Sequence, residues 1–244
     1  MKNRHVFMSA VVLALGIAVG GALVGNGFFK GRSANRYVTA KGVSERDVVA
    51  DVALWPIRFV ATNDDLARAQ ADIESSHEKV VAFLAKHGID AAATEVQNLE
   101  VTDVLANPYR SGGATTESRY IIAQTVMVRT TDPAAVSRAS GDVGELVGAG
   151  VVLSSQGGYN SGPTYLFTRL NDLKPDMIAE ATAEGRRAAE QFASDSGSRI
   201  GKIRRANQGV FVILPRDRAP GIMEGSQLQK TVRVVSTIEY TLKD

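Results

Sequence analysis

Lys230–Lys243, KTVRVVSTIEYTLK, decides the class of fold. Val232, Val234, Ile238, Tyr240 and Leu242 alternate with Thr231, Arg233, Thr237, Glu239 and Thr241. Successive side chains of a strand point to opposite faces, so this period of two predicts a half-buried antiparallel strand. Upstream of it lie a Pro/Gly loop over 215–229, a strand predicted over Ile203–Leu214, and a helix predicted from Lys174-Pro175-Asp176 to about Ser198. Ile178, Ala181, Gly185, Ala188 and Phe192 give that helix one small-residue face that can sit close on a sheet.

The same order occurs earlier in the chain. Asn63, Asp64 and Asp65 offer capping oxygens to a helix whose Leu66, Ala69, Ile73, Val80 and Leu84 form one apolar stripe, with Gly88 as its stop. Strands are predicted over Thr94–Leu105 and Ser118–Thr130, on either side of a Gly/Ser/Asn/Pro-rich loop over 106–117. In the second of them Tyr120, Ile122, Val126 and Val128 share a face that Gln124 interrupts. Helix, strand, loop, strand thus appears at Asp64–Thr130 and again at Pro175–Lys243. The expected fold is α+β: two related halves sharing an antiparallel sheet, with helices packed on one face.

Three further readings complete the outline. Tyr37–Ala40 reads as a short strand and Val48–Ala61 as a long one, apolar on both faces at its start, with Pro56 marking a bulge or an edge. Asp132-Pro133 opens a helix through about Val147. Val151–Ser154 and Thr164–Leu170 are short strands around the loop 155–163, SQGGYNSGP.

Val6–Phe29, VFMSAVVLALGIAVGGALVGNGFF, stands apart from this pattern because it carries no charge. As a helix it reaches roughly 36 Å, against a hydrocarbon core of about 30 Å. Gly20-Gly21-Ala22 could serve as a signal-peptide cut, but the cut would fall inside the apolar run, so a retained anchor is expected. The division is a membrane anchor over 1–32 and an ectodomain over 33–244, with the bilayer met through residues 6–29 and the N-terminus on the cytoplasmic side. Gly16 and Gly20, then Gly21 and Gly25, are spaced by four, which permits close approach of a second helix, although glycine is common in membrane helices generally.

Charge and composition narrow the function. The chain has 28 Lys and Arg against 26 Asp and Glu. Lys2, Arg4, Lys30 and Arg32 belong to the anchor and its flanks, which leaves 24 against 26 in the ectodomain. The footprint of a nucleic-acid binder is missing. With no cysteine there is no disulfide, no thiolate nucleophile and no Cys-based metal site.

Histidine chemistry is quickly audited. His5 precedes the apolar run, His87 beside Gly88 reads as a helix C-terminal cap, and His77 between Ile73 and Val80 reads as a partly buried, satisfied helix residue. Ser76-His77-Glu78-Lys79 matches S-x-x-K only formally, since its companion motifs are lacking. No catalytic, cofactor-binding or metal-ligating residue is assigned, and neither an enzyme nor a small-molecule substrate is expected. The loops carry the candidate contacts for self-association: Tyr109 and Arg110 beside Pro108, Tyr159 beside Asn160, and Ile222 with Met223.

Two segments carry a family resemblance. YVTAKGVSERDVVADVALWPIRF, from Tyr37, resembles the opening of SIMPL-domain proteins (domain of unknown function 541), and DMIAEATAEGRRAAEQFASDSGSRIGKI, from Asp176, is similar to that family's alanine-rich helix and its closing turn at Gly197 and Gly201-Lys202-Ile203. The resemblance runs from about Tyr37 to Lys243. It implies a bacterial envelope protein with an antiparallel sheet, members that assemble into large homo-oligomers, and no established catalysis. The resulting expectation is a single-pass inner-membrane protein whose periplasmic ectodomain self-associates in a structural or stress-linked role. A periplasmic ligand-binding or chaperone-like module is the competing reading, and a deep apolar pocket would favour it.

Overall fold

In the computed structural model the chain ends on a strand over Gln229–Lys243 in which Val232, Val234, Ser236, Ile238 and Tyr240 are buried at every second position, as the sequence pattern requires. The structure describes residues 2–33, 36–106, 118–155 and 162–243, and within the first helix it describes side chains at 8, 12–25 and 27. In chain order the elements are α1 (Lys2–Ser33), β1 (Tyr37–Val49), β2 (Val52–Asn63), α2 (Leu66–Lys86), β3 (Thr94–Asp103), β4 (Tyr120–Thr130), α3 (Pro133–Gly141), α4 (Gly144–Gly148), β5 (Val152–Leu153), β6 (Thr164–Leu166), α5 (Leu170–Asp195), β7 (Arg199–Gln208), β8 (Val212–Pro215) and β9 (Gln229–Lys243). They form two units: residues 1–45, 174–211 and 233–244, and residues 46–173 with 212–232.

The second unit is built on the strand order β3-β4-β2-β5, with β6 also paired to β2. Register sets Trp55 opposite Val128, Ile57 opposite Val126 and Ala61 opposite Ile122, so one face of β2 and β4 is apolar except at Gln124, which stands opposite Phe59. The predicted stripe of α2 closes over it, with Ala69, Ile73, Val80 and Leu84 all buried, while Leu66 lies exposed. Burial of Ile73, Val80 and Leu84 contributes about 1.5–3 kcal/mol each, and that is what holds the helix to the sheet. Asp65 caps the helix by accepting from the Arg68 N–H at 2.9 Å, and Gly88 turns the chain away at φ +79°.

In the first unit β9 runs between β1 and β7. Ile238 and Tyr240 pack with Ala40 against Ala189 of α5. The buried line of α5 is Met177, Ala181, Gly185, Ala189 and Ala193, one residue every four. Gly42 explains why that line is small. A Cβ placed on it would stand 1.8 Å from the Ala181 carbonyl oxygen and 2.4 Å from the Gly185 nitrogen, so here strand and helix meet backbone to backbone. The close face expected from Ala181 and Gly185 is present, but Phe192 is not on it and is exposed, because the buried line continues through Ala189 and Ala193 and passes beside it.

Both units follow one topology. A strand, a long helix and two further strands give the order β3-β4-β2 in one and β7-β9-β1 in the other, so the last strand becomes the middle one each time. The single sheet expected to join the halves is replaced by two. The long strand read over Val48–Ala61 breaks at Ala50 and Asp51, whose N–H groups donate to the carbonyls of Leu228 and Leu166, both at 2.9 Å. Asp51 then accepts from the Thr168 N–H at 2.8 Å and its hydroxyl at 3.0 Å, which fixes the break.

Smaller departures have similar causes. The helix predicted from Pro133 to Val147 divides into α3 and α4 around Asp142, which lies between Gly141 and Gly144, both poor helix formers. Helix α5 starts at Leu170, so Pro175 falls in its second turn instead of opening it. The strand predicted over Ile203–Leu214 divides at Gly209, whose N–H donates to the Val235 carbonyl at 2.8 Å.

Pro56 behaves as an edge marker. It keeps continuous register with β4, opposite Met127, so no bulge forms there. On the other side of β2, β6 pairs with Val52–Leu54 and β5 with Phe59–Val60, and among the described residues no strand pairs with it between them. The Arg58 carbonyl accepts from Ser154 on that side, and the two-residue period puts the nitrogen of Pro56 on the same side, where no partner among the described residues needs its missing N–H.

Helix α1 extends the predicted apolar run at both ends. No helix among the described residues is long and apolar enough to cross a membrane.

Candidate assembly surface

The residues singled out in the sequence fall into three groups. At Gly16, Gly20, Gly21 and Gly25 an added Cβ would meet no heavy atom of the described residues within 4 Å, so α1 is open at each of them. Tyr109, Arg110 and Tyr159 lie outside the described residues. Ile222 and Met223 are described, and both are exposed.

The loop carrying Ile222 and Met223 is held from within. Gly221, at φ +83°, reverses the chain, and the Met223 carbonyl accepts from the Ser226 N–H at 3.1 Å and its hydroxyl at 2.8 Å. The Asp217 N–H donates to Gln227 Oε1 and the Asp217 carbonyl accepts from Gln227 Nε2, both at 3.1 Å, which closes the base of the loop. Beneath it the fully buried Lys230 Nζ donates to the Glu224 carbonyl at 2.7 Å and forms an ion pair with the Glu224 carboxylate. A buried ammonium requires such satisfaction. Sequence reasoning missed this pair, since Lys230 sits at a strand start where lysine ordinarily reaches solvent. The Glu/Lys spacing of six residues across a Gly-containing turn was its only trace.

The end strands form the broader exposed surface. Among the described residues strand β3 has one neighbour in its sheet, β4, and β7 has one neighbour, β9. Val96 and Val101 stand opposite Val126 and Ile122, on the face that α2 covers further in, and with Leu99 they remain about half exposed. Ile203 stands opposite the buried Tyr240 and is likewise half exposed. In each unit the helix covers the middle of the sheet and leaves an apolar margin along the end strand.

Charge follows the same division. Strand β3 carries Glu95, Glu100 and Asp103 with no base, and β7 carries Arg199, Lys202, Arg204 and Arg205 with no acid. Arg58 reaches Glu100 at 2.9 Å, and Arg119 reaches Asp103 at 2.8 Å. The hydrogen bond from Arg119 holds the Asp103 carboxyl below its ordinary value, against an opposing desolvation. The Arg204 guanidinium lies 4.5 Å over the ring of Tyr37.

Chemistry elsewhere is modest. Ser76 and Lys79 both line an open cavity of about 310 Å³ beside Asp72 and Ser75, but the Ser76 hydroxyl is engaged with the Asp72 carbonyl at 2.9 Å. The buried Nδ1 of His77 has no partner among the described residues, so the satisfied histidine expected there is only half realised. His87 follows the last turn of α2 as expected, its ring 4.6 Å from that of Phe83 and its Nδ1 4.0 Å from Asp142. Among the described residues no group of three or more His, Asp and Glu could hold a metal ion. Trp55, Ile57, Val143 and Leu153 line a cavity of about 350 Å³ at the bare edge of β2.

No curated protein matches the chain. The family described as SIMPL, protein of unknown function (DUF541), matches residues 38–240. That span reaches into both units and covers both end strands, and it contains the two segments on which the resemblance rested apart from Tyr37. The chain belongs to the SIMPL family.

Proposed function

We propose that this SIMPL protein is a non-enzymatic component of the bacterial envelope, held in the inner membrane by α1, with a periplasmic ectodomain that self-associates into a large homo-oligomer in a structural or stress-linked role. The observation that carries this reading is the exposure of α1. Met8, Val12, Leu13, Leu15, Ile17, Val19, Leu23 and Val24 are all more than half exposed. Apolar surface left in water is unfavourable by about 25 cal/mol per Å², so a helix that the described residues leave uncovered is stabilised by lipid or by copies of itself. The exposed end strands support the second half of the reading, because a strand edge without a neighbour is ordinarily covered, blunted or paired.

Alkaline washing of membranes followed by light scattering in mild detergent tests it, with intact-mass analysis of the N-terminus. The expected result is a protein that stays with the membrane, retains residues 1–32 and has the mass of many protomers. Release by the wash as a monomer beginning after residue 22 would overturn the anchor and the assembly together.

The ligand-binding reading draws on the cavity beside Trp55, the only tryptophan in the chain. Saturable quenching of its fluorescence by a small apolar probe, in a monomeric protein, would favour that reading instead.

A further inference from the structure

We propose that copies of this chain join edge to edge, the end strand β7 of one pairing with the end strand β3 of the next. The inference rests on the self-association proposed above and names its contact. Both strands are 10 residues long, and among the described residues each has a partner on one side only. Both have a regular stretch beyond their bulges: Asn98–Asp103 pairs without interruption with β4, and Arg205–Gln208 with β9. A regular strand edge presents its N–H and C=O groups in the pattern another strand can accept.

Side chains favour the same match. Val96, Leu99 and Val101 lie on the helix side of their sheet and Ile203 on the helix side of its own, all half exposed. Strand pairing sets these margins side by side and removes both from water.

Charge selects between the possible pairings. Two β3 edges would oppose acids to acids, and two β7 edges bases to bases, which is unfavourable for directly opposed residues. Glu100 and Asp103 already accept from Arg58 and Arg119, yet a carboxylate has room for more than one donor, and Glu95 adds a third acid to the strand. The units as wholes agree in sign. By sequence, the β7 unit outside α1 has 11 Lys and Arg against 8 Asp and Glu, and the β3 unit has 13 against 18. Because the two edges differ, the contact is head-to-tail and continues from copy to copy instead of stopping at a dimer.

The absence of cysteine supplies the test. Full-length Leu99→Cys and Ile203→Cys variants are co-expressed, extracted in mild detergent and treated with a short bis-maleimide. The proposal expects crosslinked dimers from the co-expressed pair, a ladder from the double variant, and neither from either single variant. In a second arm, Lys202→Glu/Arg204→Glu/Arg205→Glu lowers the mass by light scattering, and co-expression with Glu95→Lys/Glu100→Lys restores it. Crosslinks in Leu99→Cys alone would overturn the pairing in favour of two β3 edges. A multimeric protein with no crosslink in any combination would overturn the pairing and leave self-association standing. A monomeric wild type would overturn both.

Discussion

At Gly42 the β1 backbone rests on α5 with no side chain between them, so Gly42→Ala forces strand and helix apart. Overpacking of this kind destabilises by about 1–3 kcal/mol, and contact with a rigid carbonyl places the expected loss at the upper end. A fall in the midpoint of urea unfolding measures it. Lys230 and Glu224 give a sharper contrast, because the lysine is fully buried and the glutamate side chain is 34% exposed. Glu224→Ala leaves a buried ammonium with one acceptor, an expected loss of about 3 kcal/mol, whereas Lys230→Met leaves a carboxylate that water can reach, an expected loss of about 1 kcal/mol. Equal losses in the two melts, or the reverse order, would contradict this account. The carboxyls of Asp103 and Glu145 are held low by hydrogen bonds from Arg119 and Lys86. A carboxyl whose folded pKa lies below its unfolded one stabilises the fold above the unfolded value and loses that contribution as pH falls through the folded one. The difference in melting temperature between wild type and Asp103→Asn is therefore expected to be small but present at neutral pH, and to shrink as pH falls below the ordinary Asp value of about 3.9.

At the scale of elements, α5 shows how far periodicity reads and where it stops. Ala181 and Gly185 were legible as a close-packing face because small residues at helical spacing have few other uses. Phe192 was placed on that face by its hydrophobicity and approximate spacing and lies outside it, since the buried residues recur every four and pass through Ala189 and Ala193 instead. Ala189→Leu is accordingly expected to lose about 1–3 kcal/mol and Phe192→Ser less than about 0.5 kcal/mol, a ranking thermal melts can check. The β9 alternation survived intact because half-burial of a strand is written in every second residue. The break at Ala50–Asp51 was not legible in the same way. It depends on carbonyls of Leu228 and Leu166, more than a hundred residues away, and Val48–Ala61 contains no glycine or turn pair to announce it. For the candidate surface, Ile222 and Met223 were found as apolar residues at a polar loop tip. The β3 margin escaped notice because valine and leucine in a strand pattern read as core until the reach of the helix above them is known.

At the scale of the whole molecule, two contacts could hold an assembly together, and they respond to different conditions. Edge pairing between a basic and an acidic strand is in part electrostatic, and exposed charges are screened over about 8 Å at physiological ionic strength and about 3 Å at 1 M salt. Helix packing through Gly16, Gly20, Gly21 and Gly25 would lie in lipid or detergent, where salt has no purchase and close approach of backbones decides the contact. Each copy would contribute both contacts, so the second forms at the high effective concentration the first creates, and loss of either lowers the mass by more than its own strength suggests. Raising NaCl from 0.05 to 1 M is therefore expected to reduce the mass of the detergent-extracted protein in steps toward a smaller species. Gly16→Leu/Gly20→Leu is expected to shift that transition to lower salt without creating one in the β7 charge-reversed variant, where the salt-sensitive contact is already gone. A mass that ignores salt but falls with the glycine substitutions would assign the assembly to the membrane helices alone.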